Sequence, residues 1–182
     1  MSFADQLTVT RAVSVPIVVA LVAIPFSGHD YWATGVFAVA MATDWFDGKV
    51  ARRTGRTSSF GSLLDPVADK LLVLATLVVL IDQGVFPAWM VAAIVARELL
   101  ISGLRLAALE RGVVIAARDL GKLKTWSQAV AALVGGLAAA GAVRDSLSWW
   151  TLLVALVLTW VSGLDYARSA PRVLRGRAVA PS

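Results

Sequence analysis

The chain has 182 residues, enough for one domain rather than two. Hydrophobic residues make up 58% and charged residues 16%, with mean hydropathy +0.76; soluble domains carry roughly 25% charged residues, so disorder and a water-soluble globule are excluded and an integral membrane protein is indicated. The net charge of +5 reads in such a chain as loop orientation and headgroup contact, not as nucleic-acid binding, and the lack of cysteine removes disulfide and thiolate chemistry.

Six uncharged or nearly uncharged runs follow one another, at 12–26, 31–43, 71–81, 84–96, 125–143 and 146–164. The first has no basic leader or small-residue cleavage site around it, so it is expected to be retained as a span. No internal repeat or low-complexity linker divides the chain, and one membrane domain over 1–182 is expected. Its basic tail begins at about residue 168. If the N-terminus is cytoplasmic, the outer loops are 27–30, 82–85 and 144–148, and of the 17 Lys and Arg only Arg144 falls there. The positive-inside rule then predicts an all-α bundle of six transmembrane helices with both termini cytoplasmic.

Length makes the charges informative. A helix needs about 20 residues to cross the hydrocarbon, and three runs are too short. The second is predicted to continue through Asp44 and Asp47 to about Arg52. The third is predicted to begin near Gly61 and include Asp65 and Asp69, with its regular part starting near Pro66. The fourth needs Arg97 and Glu98. All three extensions lie at the cytoplasmic end, so the charges gather at one depth, the expected lining of a polar pocket. A cation transporter would spread its acids across the membrane, whereas here they cluster at one end and the outer halves of the six expected helices hold none. In the fifth run, Ala131, Gly135 and Ala139 and then Ala132, Gly136 and Ala140 make a stripe of small residues. Packing within the bundle is the simpler reading, and a dimer face is the alternative.

Asp44 and Asp47 stand three residues apart, Asp65 and Asp69 four apart. Each pair shares one helix face. If the second and third helices are neighbours, the four acids converge and repel unless cations join them. Hard divalent ions with oxygen ligands, Mg²⁺ or Mn²⁺, answer that need. Zinc is disfavoured, because the single histidine, His29, is predicted in an outer loop. Two such ions about 3.5–4 Å apart suit phosphoryl transfer. Gly48 and Ala51 leave a helix face bare for a ligand, and Arg52, Arg53 and Arg56 suit phosphate oxygens. Salt bridges at a membrane edge are the plain alternative for any one acid. On the same side, Arg97, Arg105, Arg118, Lys122 and Lys124 are candidates for a second phosphate subsite, although Arg97 beside Glu98 reads equally as a structural ion pair.

The pattern Asp44-x2-Asp47-Gly48-x2-Ala51-Arg52-x8-Gly61-x3-Asp65-x3-Asp69 resembles the full signature of the CDP-alcohol phosphotransferase family. Segments beyond it resemble the bacterial phosphatidylglycerophosphate synthases of that family: Leu7-Thr8, Arg11 and Pro16, the run 43–48, the run 64–70, the run 96–102 and the run 121–125. The match reaches to about residue 128 and departs at Asp5-Gln6, where a Pro-Asn pair is expected. The resemblance implies a six-helix enzyme of the cell membrane, a homodimer, with its site at the cytoplasmic face. It implies two Mg²⁺ or Mn²⁺ ions on Asp44, Asp47, Asp65 and Asp69, with Asp69 also the general base. It puts the CDP-linked donor against Gly48, Ala51, Arg52 and Gly61. The implied donor is CDP-diacylglycerol and the implied acceptor sn-glycerol 3-phosphate; inositol phosphate, phosphatidylglycerol and serine are the alternative acceptors.

Overall fold

The computed structural model describes the backbone of residues 3–24, 26–54, 59–110 and 119–176, and the side chains of 13–24, 26–43, 70–108 and 121–168. Among the described residues the chain is all-helical, with six helices: α1 (Phe3–Ala23), α2 (His29–Thr54), α3 (Ser59–Asp82), α4 (Ala88–Glu110), α5 (Asp119–Ala139) and α6 (Asp145–Gly176). The extensions through charged sequence are present. α2 runs past Asp44, Asp47 and Arg52, α3 contains Asp65 and Asp69, and α4 contains Arg97 and Glu98.

Several boundaries differ from the hydropathy pattern. α1 starts at Phe3, not near residue 12, and α4 continues to Glu110. Hydropathy marks where a helix is apolar, whereas backbone hydrogen bonding continues through polar residues. Pro66 lies inside α3 rather than at its start. α6 continues as helix into the basic tail, to Gly176. His29 opens α2 instead of lying in a loop, and its Nδ1 is 3.1 Å from Asp30 Oδ1. Asp30, Asp82 and Asp145 likewise fall within α2, α3 and α6, so the helix ends expected to face outward do hold acids, because the helices extend beyond their uncharged runs.

Backbone geometry explains two of these shifts. Gly84 and Gly141 have φ of 72° each. At both, the next N–H closes back five residues: Val85 donates to the Leu80 carbonyl at 3.1 Å and Ala142 to the Leu137 carbonyl at 2.8 Å. This is the helix-ending motif that favours glycine. It stops α3 and α5, and it excludes residues 84–87 and 140–143 from the helices assigned to them by hydropathy. Pro87 then precedes α4, where its missing N–H costs nothing.

α1 packs against α2 and α3; α5 packs against α2, α3 and α6; α4 packs against α6 and α3. Among the described residues α2 and α3 share no extended interface, and α1 and α5 bridge them. The core includes Phe37, Leu72, Leu77, Met90, Ile94 and Leu152. The stripe of α5 faces this core. Ala131 and Ala132 are buried; a methyl group on Gly135 would strike Phe86 and Leu80, and one on Gly136 would strike Thr34. The outer surface is also apolar, with Trp32, Val39, Trp89, Leu99, Leu100 and Leu106 exposed. Among the described residues, Asp145–Arg168 is long and apolar enough to cross a membrane by length and composition, and Val13–Ala23 is a shorter apolar stretch.

Candidate active site

The helical backbone puts Asp44 and Asp47 on one face of the C-terminal part of α2, and Asp65 and Asp69 on one face of the N-terminal part of α3. Gly48, Ala51 and Arg52 follow on α2 and Gly61 precedes on α3. Only residues 55–58 separate the two helices. The side chains of all these residues lie outside the described residues, as do Arg56 and Arg118 altogether. The donor set is carboxylate oxygen from two helices, the chemistry of a hard divalent cation.

Lys70 follows Asp69 directly and begins the part of α3 with described side chains. Its Nζ donates to Ser102 Oγ on α4 at 2.7 Å and stands 3.9 Å from Glu98 Oε2. Glu98 itself is only 2% exposed. Its Oε1 accepts hydrogen bonds from Arg97 Nη1 at 2.9 Å, from Lys124 Nζ on α5, and from Gln128 Nε2 at 3.3 Å. Gln128 also donates to Thr159 Oγ1 on α6 at 2.7 Å, and Arg97 Nη2 donates to Ser162 Oγ on α6. Three helices thus meet at one carboxylate, and α6 holds two of its donors. Burying this many polar groups in an apolar bundle is costly unless each finds a partner. The Oε2 of Glu98 and the Nε of Arg97 are buried without a hydrogen-bond partner.

Of the five basic residues singled out from the sequence, the structure brings Arg97 and Lys124 together through Glu98. The Arg97–Glu98 ion pair is present. Arg105, further along α4, is close enough to that hub to act electrostatically on Lys70 and Arg97, and its guanidinium carbon lies 5.8 Å from the centroid of the Tyr166 ring, within cation–π range. Lys122 is exposed at the start of α5. Lys70, which the sequence offered only as a salt-bridge partner of the acids, joins this cluster, and so do Gln128, Thr159 and Ser162, which the sequence did not single out. The signal was present: Thr159 and Ser162 are three apart in an otherwise apolar helix, so both sit on one face, and Gln128 is a lone amide in another apolar run.

The chain thus carries four aspartates along α2 and α3, and among the described side chains a cationic cluster on α3, α4 and α5. Such a pairing suits a reaction between two phosphate-bearing molecules. Comparison with known proteins agrees. A family model described as CDP-alcohol phosphatidyltransferase matches residues 1–161. The chain is 44% identical over 133 residues to the CDP-diacylglycerol–glycerol-3-phosphate 3-phosphatidyltransferase of Bacillus subtilis, covering 72% of this chain and 69% of that one. It is 38% identical over 180 residues to a probable phosphatidylglycerophosphate synthase of Mycobacterium tuberculosis, covering 96% and 84%. A Pseudomonas fluorescens protein with the same name as the Bacillus one is 36% identical over 179 residues, covering 93% and 90%. The match spans all of α1–α5 and half of α6, with the four aspartates inside it, and on that ground the chain belongs to the CDP-alcohol phosphatidyltransferase family.

Proposed function

We propose that this transferase of phospholipid biosynthesis moves the phosphatidyl group of CDP-diacylglycerol to sn-glycerol 3-phosphate, giving phosphatidylglycerophosphate and CMP. The observation that carries the choice of acceptor is the cationic cluster. Arg97, Lys124 and Lys70 surround a single carboxylate, Glu98, leaving positive charge in excess. An acceptor that carries its own phosphate balances that excess, and three relatives are named for this reaction or its product.

The chain would lie in the cell membrane as six spans, both termini cytoplasmic, as a homodimer. Its apolar outer surface and the near-absence of basic residues at the three outer turns support this orientation. Asp44, Asp47, Asp65 and Asp69 would hold two Mg²⁺ or Mn²⁺ ions. Bound there, such ions supply positive charge to the pyrophosphate as the bond to CMP breaks. Gly48, Ala51 and Gly61 keep the helix surface low for the nucleotide, and Arg52 neutralises phosphate oxygens. Asp69 takes the proton from the 1-hydroxyl of glycerol 3-phosphate. That oxygen forms the new bond to the phosphorus bearing diacylglycerol, and CMP leaves in line. The acyl chains stay in the bilayer beside the helices.

The test is CMP release by purified protein with CDP-diacylglycerol, Mg²⁺ and a panel of acceptors. Glycerol 3-phosphate should turn over and glycerol should be far poorer, because glycerol cannot use the cationic cluster. Equal rates with both, or a preference for inositol phosphate, phosphatidylglycerol or serine, would refute the assignment.

A further inference from the structure

We propose that Glu98 is a positioning residue, resting on the function proposed above: it fixes Arg97 and Lys124 in register as the phosphate-binding cations of the acceptor subsite. The argument starts from its asymmetry. One oxygen, Oε1, takes three donors, from Arg97, Lys124 and Gln128. The other, Oε2, is buried and accepts none, with Lys70 Nζ 3.9 Å away. A carboxylate serving only as glue between helices would gain most by sharing its donors between both oxygens. Here the donors converge on one point, and long cationic side chains from two helices are brought to a common locus.

Charge makes the same point. Among the described residues three cations face the one carboxylate of Glu98, and Arg105 acts on two of them, so this group is net positive when all are ionised. Surplus buried charge is costly without a counterion. A phosphate monoester dianion supplies two negative charges. Lys70 ties the cluster to the chemistry, because it is the chain neighbour of Asp69 and is hydrogen-bonded to Ser102 of α4. Glu98 therefore sets where the acceptor phosphate sits relative to the helix that carries Asp65 and Asp69. α6 supports the device from behind: Ser162 accepts from Arg97, and Thr159 accepts from Gln128.

The experiment uses full-length enzyme in detergent with CDP-diacylglycerol and Mg²⁺, and measures both KM values, kcat and thermal unfolding. Glu98→Gln keeps the shape and removes the charge. The expected result is a rise of about tenfold or more in the acceptor KM, with the donor KM within about twofold and kcat largely recovered at saturating acceptor. A folded Glu98→Gln enzyme with an unchanged acceptor KM, or with both KM values raised alike, overturns the proposal. Glu98→Asp covers the case in which the glutamine variant does not fold. It retains the charge and withdraws the carboxylate by one methylene, so the acceptor KM should rise by a smaller factor while unfolding stays near wild type. A folded aspartate variant with wild-type acceptor KM overturns the proposal equally. If wild-type enzyme prefers a different anionic acceptor, the proposed function fails and the same split is read on that acceptor.

Discussion

A methyl group placed on Gly163 would stand 2.7 Å from Nε of Arg97. The glycine is a notch in α6 that admits a buried guanidinium, and the adjacent Ser162 accepts its hydrogen bond. An apolar helix with this notch thereby becomes part of the charged cluster. Gly163→Ala should push Arg97 out of register. We expect a loss of about 1–3 kcal/mol in unfolding free energy, the usual cost of overpacking, together with a raised acceptor KM. Thermal unfolding and steady-state kinetics on one preparation check both.

The stripe of α5 makes a separate prediction. Gly135 lies against Phe86 and Leu80, and Gly136 against Thr34. Substituting either by leucine should destabilise the monomer fold itself, through the same overpacking. Leu123, which is exposed on the same helix, should tolerate alanine. Unfolding midpoints of the three variants in detergent would decide this. If Gly136→Leu left stability intact and only dissociated an oligomer, the stripe would be a subunit interface.

Cation dependence follows from the four aspartates. Chelation by EDTA should abolish CMP release, and added Mg²⁺ or Mn²⁺ should restore it. Asp47→Asn should lose orders of magnitude in rate while its unfolding midpoint in metal-free buffer stays near wild type. Undiminished turnover in EDTA would remove the divalent ions from the proposed chemistry.

Asp69 has two proposed roles that one substitution can separate. Asp69→Asn keeps the shape and one carbonyl oxygen but accepts no proton at neutral pH. If proton transfer is its main task, kcat should fall by about 10²–10⁴-fold at every Mg²⁺ concentration. If ligation is its main task, saturating Mg²⁺ should bring the rate back toward wild type. The Mg²⁺ dependence of kcat for wild type and variant distinguishes the two.

The pairing of the four aspartates proposed as the metal site is legible along the chain because it is local. Asp44 and Asp47, and Asp65 and Asp69, are three and four residues apart, and helical periodicity alone puts each pair on one face. The length needed to span a bilayer predicts that α2, α3 and α4 continue through their charges, and the structure contains those extensions. Helix ends were less legible. The apolar runs at 84–96 and 125–143 continue across glycines whose positive φ ends or precedes the helix, so hydropathy overran the backbone.

The partners of Glu98 belong to tertiary structure alone. Lys124 and Gln128 lie 26 and 30 residues from it, and Ser162 lies 65 residues from Arg97. No spacing rule links such positions. Read along the chain, Arg97 and Lys124 are two basic residues near a membrane face, the ordinary signature of orientation. Only the packing of α4 against α6, and of α5 against α6, makes them a buried cluster. The sequence by itself determined which residues are candidates for the chemistry and, by helical spacing, which of them share a face. The fold decided which charges meet, because burial in a shared core is a property of several helices together and is encoded in none of them singly.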